Sequence, residues 1–246
     1  MSSTLADREG RRFRFRLWPT VMTGLGVALM IGLGTWQLER LAWKTELIRT
    51  AEAGLAAPPI DLPPGADLAA LEFRHVAARG TYLHDAAIGL GLTAVGGEPG
   101  GRLVTPLRLD DGRVVLVDRG WLPEPLLPPR TPAALQPAGT VSIDGIARWR
   151  GNQTAGWMAP ANEPEKRRWF SWDYPALRQA LGLDLVPVEL VLEHGDGTAD
   201  LPKAQPVTID LPNDHLGYAI TWYGLAVVLL VIYIMSSLSK PEPLAP

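Results

Sequence analysis

The sequence predicts a membrane helical hairpin of two transmembrane helices that carries a mainly β extracytoplasmic domain, a small antiparallel sheet or barrel of the α+β class. Three observations predict this fold class. Two uncharged apolar runs lie near the ends of the 246-residue chain, segments that alternate apolar and polar residues lie between them, and cysteine is absent. Without cysteine the domain has no disulfides, zinc ribbons or redox CxxC pairs, so packing must hold it together.

The first apolar run extends from Leu17 to Leu38 and contains no Asp, Glu, Lys or Arg. As a helix, its 22 residues would be about 33 Å long, enough to cross the hydrocarbon core of a bilayer. The run is longer than the roughly 7–15 apolar residues of a signal peptide, and no small-x-small cleavage motif follows it directly. A retained anchor is therefore favoured over a cleaved signal peptide.

A second uncharged run extends from Leu216 to Ser239. Because a helix satisfies its own backbone hydrogen bonds, two separated runs of this length are typical of two transmembrane helices. The predicted division of the chain is a cytoplasmic basic tail at 1–16, transmembrane helices at 17–38 and 215–238, a mainly β domain at 39–214 and a cytoplasmic tail at 239–246.

Basic residues predict the orientation of this hairpin. Five arginines precede the first run and three basic residues follow it: Arg8, Arg11, Arg12, Arg14 and Arg16, then Arg40, Lys44 and Arg49. Because the more basic flank stays in the cytoplasm, both termini are expected there. The domain at 39–214 would then lie outside, in the periplasm if the membrane is a bacterial inner membrane. Its 17 Lys/Arg and 23 Asp/Glu give a formal charge of −6, which does not support nucleic-acid binding.

The outer domain is predicted to be mostly β. Apolar and polar residues alternate with a period of two, or apolar runs are bounded by turn residues, in five segments: His75–Leu83, Leu103–Leu109, Arg113–Val117, Val141–Trp149 and Val186–Leu192. Asp111-Gly112 predicts a tight turn between the second and third of them. The glycine-rich stretch from Gly89 to Gly101 is expected to be a flexible loop.

Two helical segments are predicted around these strands. The first span is expected to continue as a helix from Glu39 to Ala56 and to stop at Pro58-Pro59. A second helix is predicted at Tyr174–Leu181, with Asp173 as its N-cap and Pro175 in its first turn.

The chemistry of the chain centres on one histidine. The motifs G-x-S-x-G, H-E-x-x-H and G-x-x-x-x-G-K-[ST] are all absent, and the protein is not expected to be an enzyme. His215 lies at the outer mouth of the second span, in the first turn of a helix that Asn213 or Asp214 would cap. Copper delivery is not expected, because cysteine and clusters of His or Met are absent.

Helical periodicity predicts which way His215 faces. Its face of the second span also carries Tyr218, Ala219 and Trp222. Small residues form a stripe on the opposite face and a matching stripe on the first span: Gly217, Thr221 and Gly224, with Gly24, Ala28, Gly32 and Thr35. Small residues allow helices to approach closely, so the spans are expected to pack through these stripes. His215 and its aromatic neighbours would then face lipid or a partner.

Two interpretations of His215 stay open on residue types. The imidazole can be an axial ligand of haem iron, with Tyr218 and Trp222 beside the ring and with Arg40 and Lys44 near the propionates. It can equally be an interfacial histidine beside an aromatic belt, as in many membrane proteins.

Four stretches of the chain, in this order, resemble the surfeit-locus-one family of cytochrome c oxidase assembly factors. They are GTWQLERLAWK at 34–44, VDRGWLP at 117–123, WFSWDYPAL at 169–177 and NDHLGYAITWYGLA at 213–226. The resemblance implies a bacterial member that binds haem A transiently and assists its insertion into the catalytic subunit of cytochrome c oxidase. It also implies that haem A synthase is a second partner.

The resemblance also implies site residues. The family histidine at the start of the second span, the proposed haem ligand, corresponds to His215, and the tryptophan of the GTWQ motif corresponds to Trp36. With Tyr218, Trp222 and Arg40, these residues form the expected haem A site. Val117–Trp121 is a candidate docking surface, and its alternative interpretation is a strand end with a packed tryptophan.

A structural assembly scaffold is the alternative function. Such a protein would stabilise the nascent oxidase subunit without binding haem, and the same hairpin and outer domain fit that role. A sensor is a weaker alternative, because no cytoplasmic output domain is predicted.

Overall fold

The computed structural model describes residues 12–65, 67–151, 159–195, 200–209 and 211–239. The chain forms two compact units, one made of residues 49–210 and the other of residues 1–48 together with 211–246. Most of the two predicted tails, including Arg8 and Arg11, lies outside the described residues.

The described residues form three α-helices and ten strands. The helices are α1 (Leu17–Ala56), α2 (Tyr174–Leu181) and α3 (His215–Ser237). The strands are β1 (Arg12–Phe13), β2 (Ile60–Asp61), β3 (His75–Tyr82), β4 (Ile88–Val95), β5 (Glu98–Leu109), β6 (Val114–Pro123), β7 (Thr140–Trp149), β8 (Arg168–Trp169), β9 (Leu185–Val191) and β10 (Leu238–Ser239). Single 3₁₀ turns occur at Leu68–Leu71, His84–Ala86, Glu124–Leu126, Ala133–Leu135 and Pro164–Lys166.

Helices α1 and α3 are both long and apolar enough to cross a membrane. Only 6% and 11% of their most apolar segments is buried, whereas a core helix of a soluble protein is mostly buried. Among the described residues, every exposed large apolar side chain except Leu92 lies within 13–47 or 211–235. Such a continuous apolar surface is unstable in water, so the two helices indicate a membrane protein.

The two strands that flank the helical hairpin pair with each other at the end of the helix pair opposite His215. Strand β1 pairs with β10 in antiparallel register, with Phe13 opposite Leu238. The Phe13 ring also contacts the ring of Tyr233 edge-on, with 6.1 Å between centroids. The described ends of the hairpin therefore lie next to each other, on one side of the helix pair.

The second unit is built on a closed barrel of five strands. Strand β3 pairs with both β5 and β7, and β6 pairs with both β5 and β9, so that a final pairing of β7 with β9 closes the ring. All of these pairs are antiparallel except β6 with β9. Strands β4 and β8 extend the sheet beyond β5, and β2 adds an edge to β3.

Strand β6 lies at the centre of two apolar cores, because successive residues of a strand point to opposite faces. Val115 and Val117 point into the barrel, where the core includes Val76, Leu107, Ala147, Val188 and Leu190. Val114 and Leu116 point outward, where α2, β4 and β8 cover them through Leu177, Tyr174, Ile88 and Trp169. The barrel is thus packed on the inside and on one outer flank.

Most of the predicted elements of this unit are confirmed. Strands β3, β7 and β9 match their predictions within two residues at each end, and helix α2 has the predicted bounds. The Asp173 side chain accepts a hydrogen bond from the backbone N–H of Ala176, as expected of an N-cap. The Asp111-Gly112 turn is also confirmed, with Gly112 at φ +90°.

The prediction of a flexible loop at Gly89–Gly101 is wrong. Strands β4 and β5 form a hairpin there, joined at Gly96 and Gly97, which both have positive φ. At two of the other glycines, Gly100 and Gly101, neighbouring backbone atoms come too close for a side chain. A Cβ at Gly100 would lie 2.2 Å from the carbonyl oxygen of Leu122. Glycine therefore hid a strand that ordinary β-propensity would have identified.

Candidate functional site

Helices α1 and α3 pack against each other through a face that the sequence analysis assigned wrongly. Gly24, Gly32, Gly217 and Gly224 have open space where a Cβ would lie, so these glycines do not line the contact. The buried small residues are Gly34 on α1 and Ala219 and Ala226 on α3. The face of α3 that carries His215 and Ala219 therefore meets α1 rather than lipid.

Two tyrosines of α3 explain why this face of the helix meets α1. A Cβ at Gly34 would lie 2.9 Å from the ring of Tyr223, so the glycine makes room for that ring. The Tyr223 hydroxyl lies 3.0 Å from Thr35 Oγ1, and the Tyr233 hydroxyl lies 2.5 Å from Thr20 Oγ1. Both pairs join α1 to α3, and hydrogen bonds between helices stabilise their packing in a bilayer, so these contacts favour the observed rotation of α3.

His215 contacts α1 directly. Its Nδ1 lies 2.7 Å from Oε1 of Gln37. An amide oxygen can only accept a hydrogen bond, so Nδ1 is the donor, and in the neutral imidazole Nε2 then keeps its lone pair. Among the described residues Nε2 has no hydrogen-bond partner, and the side chain is half-buried. The imidazole is thus fixed in one tautomer, with a nitrogen that can bind a metal or accept a proton.

The approach to His215 is held by contacts between α1 and the segment that precedes α3. The Lys44 ammonium donates to the carbonyl oxygen of Pro212, and the Asn213 side-chain amide donates to Thr45 Oγ1 over 3.3 Å. Asp214 is the N-cap residue of α3, although its side chain makes no capping hydrogen bond. These contacts determine where α3 begins and therefore where His215 lies relative to Gln37.

The other predicted site residues make no ring contact with His215 among the described residues. Trp36 and Tyr218 are exposed by 53% and 58%, and Trp222 is half-buried. In the part of the chain that the structure describes, none of these three rings stacks on another aromatic ring. Arg40 is exposed, and its guanidinium lies 3.9 Å from the centroid of the Trp43 ring.

Two residues of this site were missed by the sequence analysis. Gln37, which orients His215, lies within the GTWQ motif but was not given a role. Trp43, which contacts Arg40, follows Trp36 by seven residues and so lies on the same helix face. That spacing could have revealed Trp43, whereas no sequence signal indicates the contact between Gln37 and His215.

The candidate docking surface at Val117–Trp121 is contradicted by the structure. Asp118, Arg119 and Trp121 are 3%, 1% and 2% exposed, so their side chains cannot form a surface. The alternative interpretation, a strand end with a packed tryptophan, is confirmed. Burial raises the pKa of Asp118, and the neighbouring Arg102 guanidinium opposes this shift. No group of three or more His, Asp or Glu side chains that could hold a metal ion occurs among the described residues.

Comparison with known proteins gives a consistent family. A model of the SURF1 family matches residues 25–227. A SURF1-like protein of Monosiga brevicollis is 38% identical over 238 residues, which cover 86% of this chain and 88% of that protein. Surfeit locus protein 1 of Takifugu rubripes is 30% identical over 87% of this chain and 94% of its own length, and that of Rattus norvegicus is 32% identical over 80% and 69%.

Proposed function

Because this chain belongs to the SURF1 family, we propose that it is an assembly factor for cytochrome c oxidase that binds haem A and assists its insertion into the catalytic subunit. The observation that carries the proposal is the hydrogen bond between His215 Nδ1 and Gln37 Oε1. It gives the end of the helix pair where α3 begins one oriented imidazole, whose second nitrogen has no hydrogen-bond partner among the described residues.

His215 fits the role of a haem ligand. Ligating histidines characteristically donate their other ring N–H to an oxygen acceptor, which fixes the tautomer and makes the ligating nitrogen more basic. Gln37 supplies such an acceptor here. Haem iron commonly takes a neutral imidazole as its axial ligand, and it supplies the site with a Lewis acid that the imidazole can hold.

The surroundings of His215 fit an apolar ring that carries carboxylates. Trp36 and Tyr218 present open aromatic faces beside the helix pair, and Trp222 lies at the edge of the helix contact. Arg40 remains exposed above Trp43 and can pair with a propionate. Lys44 is already engaged by the Pro212 carbonyl, so Arg40 is the better placed cation.

One exchangeable ligand suits a carrier. Transfer requires affinity high enough to load haem A and low enough to release it, and a single imidazole at an open helix face meets both needs. We propose no bond-making chemistry, so the protein acts as a chaperone rather than as an enzyme. Its partners would be the catalytic oxidase subunit and haem A synthase.

The proposed location is the inner membrane of a bacterium. The arginines before α1 would keep both termini in the cytoplasm, and the barrel unit would lie in the periplasm. His215 would then lie at the outer leaflet. The pairing of β1 with β10 supports the placement of both chain ends on one side of the membrane, since it brings the two described ends together.

The proposal predicts haem A in the purified protein. We expect the full chain, solubilised in detergent from cells that make haem A, to show a haem A absorption band. His215→Ala should lower the haem content at least about tenfold, because one axial ligand is lost. His194→Ala, at an exposed position of the barrel unit, is the matched control and should leave the band unchanged.

The same measurement separates carrier from scaffold. Absence of the band from wild-type protein, in cells where oxidase assembly still depends on the chain, would contradict haem carriage and favour the scaffold. A band of equal height in wild type and His215→Ala would show that another residue holds the haem.

A further inference from the structure

A cavity of about 210 Å³ lies within the barrel unit, and none of the residues proposed to hold haem A lines it. Arginines from two strands and the segment at 205–208 line it, together with Asp118 and Trp121 on β6. The arginines are Arg102 on β5, Arg148 on β7 and Arg150 immediately after β7. In a domain of net charge −6, three guanidinium groups around one cavity are a local exception.

Buried carboxylates hold two of these arginines in place. Glu189 is completely buried, and it accepts hydrogen bonds from Arg102 through Oε1 and from Arg150 through Oε2, the latter at 2.6 and 2.8 Å. Asp118 binds Arg102 from the other side and also accepts from the Gly120 N–H at 2.9 Å. Burying four charges is costly even when they are paired, so stability alone does not account for the cluster.

Hydrogen-bond donors remain available in the cavity. A guanidinium has five N–H donors. Within the described part of the chain, Arg102 Nη1 and both Nη atoms of Arg148 have no acceptor, since Arg148 uses only Nε, toward Glu72. The side chains of Arg102 and Arg148 keep 32% and 25% exposure, so a ligand can reach them.

Charge indicates the ligand class. The three arginines contribute +3, and the carboxylates paired with them, Asp118, Glu189 and Glu72, contribute −3, so these ion pairs are formally neutral together. A dianion such as phosphate would leave a net charge of −2 in the poorly solvated cavity, whereas a monoanion would leave a net charge of −1. Hydrogen bonds to a guanidinium are charge-assisted, and a carboxylate matches the guanidinium fork with two parallel bonds, which a neutral amide cannot form. A carboxylate is therefore favoured over both phosphate and an amide.

The size of the cavity and the backbone of the segment that lines it indicate which kind of molecule carries the carboxylate. The cavity is smaller than the roughly 300–1,000 Å³ of sites that enclose a whole small molecule, so it fits a side chain. The segment at 204–209 forms no backbone–backbone hydrogen bond with the described residues, although Val207 N–H donates to Glu193 over 3.3 Å. An extended chain could pair with it, as in recognition by strand addition.

We propose that this cavity binds the carboxylate of a glutamate or aspartate on a partner protein, in a segment that lies extended along residues 204–209. Arg148 and Arg102 receive the carboxylate, while Glu189 and Asp118 position the guanidinium groups.

The test uses the full chain in detergent and a blocked pentapeptide, acetyl-Gly-Gly-Glu-Gly-Gly-amide, titrated by ligand-observed NMR. We expect the peptide with Gln in place of Glu to bind at least about tenfold more weakly, because a charge-assisted bidentate contact is lost.

Arg148→Gln should weaken binding of the Glu peptide to a similar degree. Arg148→Lys should also weaken it, since lysine keeps the charge but lacks the fork. Arg79→Gln, at a 69% exposed arginine of β3, is the control and should bind normally.

Other outcomes would overturn the proposal. Equal binding of the Glu and Gln peptides, no saturable binding of either, or unchanged binding by Arg148→Gln would each contradict a carboxylate site. Displacement of the peptide by inorganic phosphate at equal concentration would contradict the choice of a monoanion. If free propionate bound as tightly as the peptide, the segment at 204–209 would play no part in recognition. Arg148 and Glu72 are both partly exposed, so Arg148→Gln is expected to fold.

Discussion

Glu189→Ala is expected to destabilise the barrel unit by about 3–5 kcal/mol, because removing one partner of a buried ion pair leaves the other charge uncompensated. Glu189 binds both Arg102 and Arg150 and has no exposed surface. Domains of this kind are stable by about 5–15 kcal/mol, so the variant should lose a large part of its stability. Urea unfolding of the full chain in detergent, followed by fluorescence of the buried tryptophans, measures the change.

Glu163→Ala is the matched control for this experiment. Glu163 pairs with Lys166 at 3.2 Å, but both side chains are largely exposed, and such pairs contribute about 0–1 kcal/mol. A loss at Glu189 no greater than that at Glu163 would show that the two arginines find other partners or water when the carboxylate is removed.

Gly120→Ala is expected to destabilise the same unit by at least about 3 kcal/mol, for two independent reasons. Gly120 has φ +113°, which disfavours a residue with a Cβ. A Cβ there would also lie 2.3 Å from the backbone oxygen of Lys203, and a backbone atom cannot rotate away. The bridge between Trp121 and Lys203 would have to open.

Gly112→Ala separates the effect of the positive φ from the effect of the steric clash. Gly112 has a similar φ of +90°, but no atom lies within 4 Å of the position of its Cβ. Backbone strain alone should therefore cost about 1–2 kcal/mol at this turn. The same urea titration gives both values. Equal losses in the two variants would contradict the close approach of Lys203 to Gly120.

The barrel was predictable from sequence where each strand shows its own pattern. Strands β3, β7 and β9 alternate apolar and polar residues, and the Asp111-Gly112 turn marks the β5–β6 hairpin. The β4–β5 hairpin was missed because its glycines suggested flexibility, whereas Gly100 and Gly101 of β5 allow close approaches of neighbouring backbone and Gly96 and Gly97 form the turn. The pairing of Arg102 with Glu189 joins residues 87 positions apart, and only the order of strands in the barrel brings them together.

The candidate site was predictable in its residues but not in its geometry. The position of His215 at the start of α3 follows from hydropathy and capping signals. The rotation of α3 does not, because small residues occur on more than one face and the hydroxyl pairs of Tyr223 and Tyr233 decide between them. For this reason the contact of His215 with Gln37 could not be deduced, and the sequence predicts that His215 faces lipid or a partner.

The central claim is that Nε2 of His215 binds the iron of haem A. The most direct measurement is electron–nuclear double resonance on protein purified from cells supplied with ¹⁵N-histidine. We predict a strongly coupled histidine ¹⁵N at the iron in wild-type protein, absent from His215→Ala. Bound haem A without histidine ¹⁵N coupling, or with coupling that survives His215→Ala, would contradict the claim.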